Sequence, residues 1–185
     1  MSSFIHPHAI VETSEIGADT RIWAFVHILN NVKIGSNCNI CDHCFIESGV
    51  IIGDNVTIKS GAYIWAGTTI EDNVFIGPNV VFTNDLRPRS KKPFKLEPIT
   101  IKKHASIGAN STILAGTEIG EYAMTGIGSV ITHNVKNYSL VYGNPARECG
   151  WVDEEGEKMR SESKGIWLAG NGSKFKETIN GLVKI

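Results

Sequence analysis

The chain has 185 residues, with 18 Lys and Arg against 19 Asp and Glu, a formal net charge of −1, and a hydrophobic content of 42%. This composition supports one domain with a core and excludes a basic nucleic-acid-binding surface as the main theme. No apolar run approaches the roughly 18 residues of a membrane-spanning helix. Four cysteines are too few for a disulfide scaffold, and the first residues lack a signal-peptide pattern. We therefore expect a cytoplasmic protein that binds neither nucleic acid nor membranes.

An isoleucine recurs every six residues through the first part of the chain. The twelve positions of this frame, which Phe82 then continues, are Ile10, Ile16, Ile22, Ile28, Ile34, Ile40, Ile46, Ile52, Ile58, Ile64, Ile70 and Ile76. A small or β-branched residue stands four positions after each one, as at Val26 and Ala62. A period of six fits neither a helix nor an alternating strand, but it fits a short strand followed by a turn. The frame returns at Ile101 and continues to Val135.

Turn-forming residues separate the isoleucines and set the size of one coil. Gly17, Gly35 and Gly53 are 18 residues apart, so three hexads make one coil and successive coils stack Ile upon Ile. The sequence therefore predicts an all-β, parallel solenoid. Cys38 and Cys44 fall on its small inward positions, so we interpret them as buried core residues and expect no metal site.

The hexad frame is interrupted between Phe82 and Ile101. Residues 83–98 must leave the coil as a loop, and this loop carries five cations against two acids. A long loop on a rigid scaffold is typical of a functional element, so we predict a lid over an anionic ligand, with a plain surface loop as the alternative.

A second interruption follows Val135 and leads to Gly143-Asn144-Pro145-Ala146-Arg147. With the hexads, this ending resembles the hexapeptide-repeat acyltransferases that use acetyl-coenzyme A. The resemblance implies a left-handed parallel β-helix of triangular cross-section and a homotrimer with active sites between subunits. It also implies coenzyme contacts, which by matching motifs are Ala109, Ile127, Thr132 and Arg147. Arg147 would meet the nucleotide phosphates, as its planar fork suits phosphate oxygens.

The start of the loop suggests the acceptor. Phe82-Thr83-Asn84-Asp85 and Pro88-Arg89-Ser90 resemble the matching stretch of nucleotide-sugar 3-N-acetyltransferases. Asp85 favours the group acting on dTDP-3-amino-3,6-dideoxyhexoses, which serve surface-polysaccharide biosynthesis. A hydroxyl acceptor needs a general base, usually His, and the stretch from Asn84 to Arg87 has none, whereas a neutral amine attacks a thioester unaided. We predict Asn84 and Asp85 as catalytic and substrate-binding residues, with Arg87 and Trp65 as further substrate contacts.

Three alternatives stay open at this stage. They are an enzyme acting on UDP-2-acetamido-3-amino-uronate, a sugar O-acetyltransferase with His27 or His104 as base, and a non-catalytic solenoid scaffold. We divide the chain into a β-helix domain at 1–148, which includes the loop 83–98, and an extension at 149–185. The extension is expected to form two short hairpins that cap the coil end or contact another subunit, without zinc.

Overall fold

The computed structural model describes residues 2–185, and within that range the chain forms short strands and no helix. Most strands are two residues long, because the backbone turns after each outward and inward pair. In chain order they are β1 (Phe4–Ile5), β2 (Ile10–Val11), β3 (Arg21–Ile22), β4 (His27–Ile28), β5 (Lys33–Ile34), β6 (Asn39–Ile40), β7 (Phe45–Ile46), β8 (Ile51–Ile52), β9 (Thr57–Ile58), β10 (Tyr63–Ile64), β11 (Thr68–Ile70), β12 (Phe75–Ile76), β13 (Val81–Phe82), β14 (Ile99–Ile101), β15 (Ser106–Ile107), β16 (Thr112–Ile113), β17 (Glu118–Ile119), β18 (Met124–Thr125), β19 (Val130–Ile131), β20 (Ser139–Gly143), β21 (Ala146–Trp151), β22 (Arg160–Ser163), β23 (Ile166–Leu168), β24 (Lys174–Thr178) and β25 (Gly181–Lys184).

The strands of the repeat form three parallel sheets, which are the three faces of a solenoid. The first face runs β1-β3-β6-β9-β12-β15-β18-β20, the second β2-β4-β7-β10-β13-β16-β19, and the third β5-β8-β11-β14-β17. Each regular coil adds one strand to each face, so that Ile40 pairs with Ile58, 18 residues further on. The predicted parallel solenoid of three-hexad coils is confirmed.

The inward isoleucines form one continuous core along the solenoid axis. Ile22, Ile40 and Ile58 are fully buried, and Cys38 and Cys44 are buried among them. The frame does not begin at Ile10, as the spacing predicted. Ile10 pairs with the outward residue of β4 and is 59% exposed, because this first coil is one residue shorter and its inward position falls to Val11.

The loop leaves the solenoid without disturbing the coils on either side. Residues 83–98 carry no strand, and β13 and β14 end and begin at their two ends. Ile76 pairs directly with Ile107, so the coils close up against each other across the insertion. The extended loop predicted from the break in the hexads is confirmed.

The end of the chain forms an antiparallel extension with its own small core. β20 and β21 make a hairpin, and β22 to β25 form a four-stranded antiparallel sheet. Of this sheet, the sequence predicted only the hairpin of β23 and β24. Tyr138, Trp151, Phe175 and Leu182 are buried together there. β21 runs across residue 148, and the domain division at that point stays a prediction. Residues 2–185 contain no helix with the length and apolarity to cross a membrane.

Stacking of the coils leaves no space for a side chain at Gly35. A Cβ on this residue would lie 2.5 Å from the backbone carbonyl carbon of Gly53 in the next coil. We expect Gly35→Ala to lower the free energy of unfolding by about 1–3 kcal/mol, because backbone must move to admit the methyl group. Gly170→Ala, where an added Cβ meets nothing within 4 Å, should change it by less than about 0.5 kcal/mol. Equal losses in denaturant unfolding would contradict this prediction.

Candidate active site

The loop emerges from one corner of the solenoid, between the second and third faces. The strand register of the second face places Trp65, Thr83, Leu114 and Thr132 at equivalent positions in successive coils, directly after the inward residues of β10, β13, β16 and β19. We call this column of residues, together with the loop 83–98, the loop corner. It unites Trp65, which was predicted to contact substrate, and Thr132, which was predicted to contact coenzyme, with the start of the loop.

Side-chain and backbone hydrogen bonds fix the two ends of the loop. The Thr83 hydroxyl donates to the carbonyl oxygen of Ile113 (3.0 Å) and accepts from the backbone N–H of Ala115 (2.8 Å). The carbonyl oxygen of Asn84 accepts a hydrogen bond from the backbone N–H of Glu97 (3.1 Å), which joins the two ends of the loop. The sequence predicted a loop but not this closure, because Asn84 and Glu97 lie outside the hexad pattern that predicts the other backbone pairings.

Asn84 and Asp85 lie half-buried where the loop begins, and Arg87 is exposed. Asp85 Oδ1 accepts a hydrogen bond from the backbone N–H of Arg87 (2.8 Å), so the side chain stabilises its own turn. The remaining carboxylate oxygen, Oδ2, can accept from a ligand amine. The Asn84 backbone holds the loop closed, and its side-chain amide can also bind a ligand.

A cavity of about 360 Å³ lies within the loop itself. Asp85, Arg87, Pro93, Phe94 and Lys95 are among the residues that line it. Lys95 pairs with the carboxylate of Glu97 (Nζ to Oε1, 2.9 Å). The two cations of the lining, Arg87 and Lys95, share the cavity with the rings of Pro93 and Phe94. Such a lining suits a ligand that combines negative charge with a flat ring. Phe94 was not predicted from the sequence.

Trp65 packs against the core at the loop corner and belongs to an aromatic group. Its ring centroid lies 5.4 Å from that of Phe45 and 6.5 Å from that of Tyr63, both on the second face. The ring is half-buried, so one part supports the core and another part is open to a ligand or a neighbouring subunit.

The four predicted coenzyme contacts lie in two separate places. Ala109 and Ile127 stack in adjacent coils at the corner between the first and second faces, where the Gly128 N–H donates to the Ala109 carbonyl oxygen (2.8 Å). Ile127 is 81% exposed. Thr132 and Arg147 instead line a common cavity of about 240 Å³ at the end of the solenoid. Thr132 follows β19 at the edge of the second face opposite Ala109 and Ile127, whereas Arg147 lies on β21, which pairs with the last strand of the first face. The four residues therefore do not form one cluster within a chain.

The comparisons with known proteins agree with this architecture. A family described as "Bacterial transferase hexapeptide (six repeats)" matches residues 13–48 and 49–84, and "Hexapeptide repeat of succinyl-transferase" matches residues 31–66 and 98–133. The chain is 58% identical over 178 residues to dTDP-3-amino-3,6-dideoxy-alpha-D-galactopyranose 3-N-acetyltransferase of Aneurinibacillus thermoaerophilus, covering 95% of this chain and 93% of that relative. The chain belongs to the hexapeptide-repeat transferase family.

Solved structures give the same result for this hexapeptide-repeat transferase. A hexapeptide-repeat acetyltransferase of Vibrio cholerae superposes with a TM-score of 0.53 at 29% identity, covering 56% of this chain and 62% of that chain. A galactoside acetyltransferase in complex with coenzyme A superposes with a TM-score of 0.55 at 27% identity, covering 62% and 64%. The fold is therefore the predicted left-handed parallel β-helix.

The two histidines kept as alternative bases lie away from the loop corner of this hexapeptide-repeat transferase. His27 points outward from the second face, three coils before the coil that carries the loop, and contacts Glu12 at 3.2 Å. His104 lies at the corner between the third and first faces and stacks on Tyr122, with ring centroids 4.4 Å apart. Within one chain, neither histidine therefore lies next to Asn84.

The cysteine-rich segment of this transferase is part of its core. Cys38 and Cys44 are buried, and burial raises the pKa of both thiols, to about 11 for Cys44. At neutral pH these groups are protonated and serve as small apolar side chains, as predicted. Across residues 2–185, no group of three His, Cys, Asp or Glu side chains is placed to hold a metal ion.

Proposed function

We propose that the protein transfers the acetyl group of acetyl-CoA to the 3-amino group of a dTDP-3-amino-3,6-dideoxyhexose. The observation that carries this proposal is the 58% identity, over nearly the full length of both chains, to an enzyme named for that reaction. The galactopyranose in that enzyme's name makes the galacto sugar our first candidate substrate. A cytoplasmic location, where acetyl-CoA is formed, is part of the proposal.

In this proposal, the acceptor amine binds at the start of the loop. Asn84 and Asp85 orient it through their side-chain oxygens, and the cavity with Arg87, Lys95 and Phe94 takes the nucleotide part of the substrate. The neutral amine attacks the thioester carbonyl carbon, the C–N bond forms, and the C–S bond breaks. The departing thiolate takes up the proton that the amine loses. Rate enhancement comes mainly from holding the two reactants in contact.

Coenzyme binding uses the four residues that the family resemblance indicated. Thr132 and Arg147 hold the phosphate end in their common cavity, and Ala109 and Ile127 contact the extended arm. Because Thr132 lies at the edge of the second face opposite Ala109 and Ile127, we propose a homotrimer in which one subunit's loop corner faces its neighbour's Ala109 and Ile127. Exposed aromatic residues, such as Tyr63 on the second face and Trp23 at the corner after β3, would be covered by that assembly.

An assay of thiol release tests the proposed function. The protein is incubated with acetyl-CoA and dTDP-3-amino-3,6-dideoxygalactose, and with three comparison substrates. These are the gluco epimer, the dTDP-6-deoxygalactose that has a hydroxyl at C3, and UDP-2-acetamido-3-amino-glucuronate. Preference for the first compound supports the proposal. Preference for the hydroxyl sugar would identify an O-acetyltransferase, preference for the uronate would move the specificity to UDP sugars, and absence of acetyl-CoA binding by calorimetry would favour a scaffold.

Arg147→Ala is expected to raise KM for acetyl-CoA by roughly 10-fold, because it removes a charge-assisted contact to phosphate. The kcat value should change much less, since Arg147 lies at the end of the solenoid rather than beside Asn84. Arg160→Ala, which removes an exposed arginine from β22, is the matched control and should leave both constants unchanged. A KM equal to that of the control would remove Arg147 from the coenzyme site.

A further inference from the structure

We infer that Leu96, seated on Gly67, is a positioning residue that holds the loop closed and thereby fixes Asn84. This inference rests on the proposed function, because it assigns Leu96 a role in the same reaction. It adds two residues that neither the family motifs nor the sequence pattern pointed to.

The side chain of Leu96 rests directly on a glycine of the preceding coil. A Cβ at Gly67 would clash with Leu96 Cδ2 and would lie 3.2 Å from its Cγ, so the missing side chain at this corner is what admits the leucine. Gly67 has a φ of +84°, and its carbonyl oxygen accepts a hydrogen bond from the backbone N–H of Ile99 (3.3 Å). The last part of the loop is therefore attached to the turn that follows Trp65.

Two further contacts connect Leu96 to Asn84. The backbone N–H of Glu97, the residue after Leu96, donates to the carbonyl oxygen of Asn84. Glu97 also lies over Gly116 of the following coil, where an added Cβ would be 3.7 Å from the Glu97 Cβ. Leu96 and Glu97 are thus placed between two turns of the loop corner. Thr83 holds the other side of Asn84 through its hydroxyl.

Leu96 is 41% exposed, so its main contribution is not burial of apolar surface in the core. What it determines is the position of the returning chain against which the Asn84 backbone is hydrogen-bonded. Small displacements of a residue that orients a reactant reduce the rate strongly, even when both substrates still bind. Loss of the Leu96 contact should therefore lower kcat while KM for acetyl-CoA stays unchanged.

The chain provides a matched control for the test. Gly49 occupies the equivalent turn one coil earlier, with a φ of +81°, and a Cβ there would meet nothing within 4 Å. Gly49→Ala and Gly67→Ala introduce the same backbone strain, but only Gly67→Ala collides with Leu96. We would compare these two variants with Leu96→Ala, Leu96→Met and the double variant Gly67→Ala/Leu96→Ala.

Two measurements are made on each variant: steady-state kinetics, and the rate of trypsin cleavage after Lys95. We expect Gly67→Ala to lower kcat roughly 10-fold relative to Gly49→Ala and to accelerate the cleavage at least about fivefold. Leu96→Ala should lower kcat similarly, whereas Leu96→Met, which keeps a long apolar side chain, should retain most of the wild-type kcat. The double variant should be no worse than either single variant, because the smaller residue at 96 makes room for the methyl group.

Gly67→Ala and Gly49→Ala variants with equal kcat and equal cleavage rates would overturn the inference. Faster cleavage with unchanged kcat would show that Leu96 holds the loop closed without positioning Asn84, and would overturn the inference as well. Failure of the wild-type protein to acetylate any sugar nucleotide would instead reject the proposed function. Cleavage after Lys95 would in that case still decide whether Leu96 holds the loop closed.

Discussion

Asn84→Ala lowers kcat by roughly 100-fold or more in the expected result, while His43→Ala leaves it within about twofold. On the proposed function, the Asn84 side chain orients the acceptor amine, so its loss should leave the two reactants badly aligned. The hydrogen bond that closes the loop uses the backbone carbonyl of Asn84, so the substitution keeps that closure. Steady-state kinetics with the best sugar nucleotide of the panel would measure both variants.

His43 is a suitable control because it is a histidine outside the proposed site. It stacks on Phe25 with ring centroids 5.0 Å apart, at the corner between the first and second faces. If His43 acted as general base, His43→Ala would lower kcat at least as much as Asn84→Ala does. Similar losses in the two variants would contradict the assignment of Asn84.

Phe82→Ala is expected to lower the free energy of unfolding by about 3–5 kcal/mol. Phe82 is fully buried and is the one aromatic residue in the inward column of the second face, between Ile64 and Ile113. Its replacement leaves a cavity at the coil from which the loop emerges, where the backbone cannot collapse because the coils on both sides are already stacked. Denaturant unfolding at one fixed protein concentration would measure the loss.

Phe94→Ala is the control for this measurement. Phe94 is 52% exposed in the loop, so its removal should change the free energy of unfolding by less than about 0.5 kcal/mol. Phe82→Ile, which restores the residue type of the hexad frame, should recover most of the loss. A small effect of Phe82→Ala would show that the core at this coil is loosely packed.

Regularity made most of the fold predictable from the sequence. The six-residue period predicted short strands with turns, the 18-residue glycine spacing predicted three hexads per coil, and the break in the period predicted the loop after residue 82. The left hand of the solenoid followed only from the family resemblance. The prediction was wrong at Ile10, because a coil at the end of a stack has no neighbour on one side to enforce the frame. β25 was not predicted, since its pairing depends on contacts with β24 that have no periodic pattern.

The candidate site was only partly predictable. Asn84, Asp85 and Arg87 followed from the loop motif, and the structure places them at one corner with Trp65. The separation of Ala109 and Ile127 from Thr132 by the width of the second face could not be read from an 18-residue spacing alone. The contact between Leu96 and Gly67 joins residues 29 positions apart, and nothing in the sequence pattern couples them.

Because Ile76 pairs directly with Ile107, the stacking of the coils does not depend on the residues inserted between them. Such an insertion can change in length or composition while the scaffold beneath it keeps its geometry. On the proposed function, acceptor preference can therefore change through this loop alone, while the surface that binds acetyl-CoA keeps its geometry.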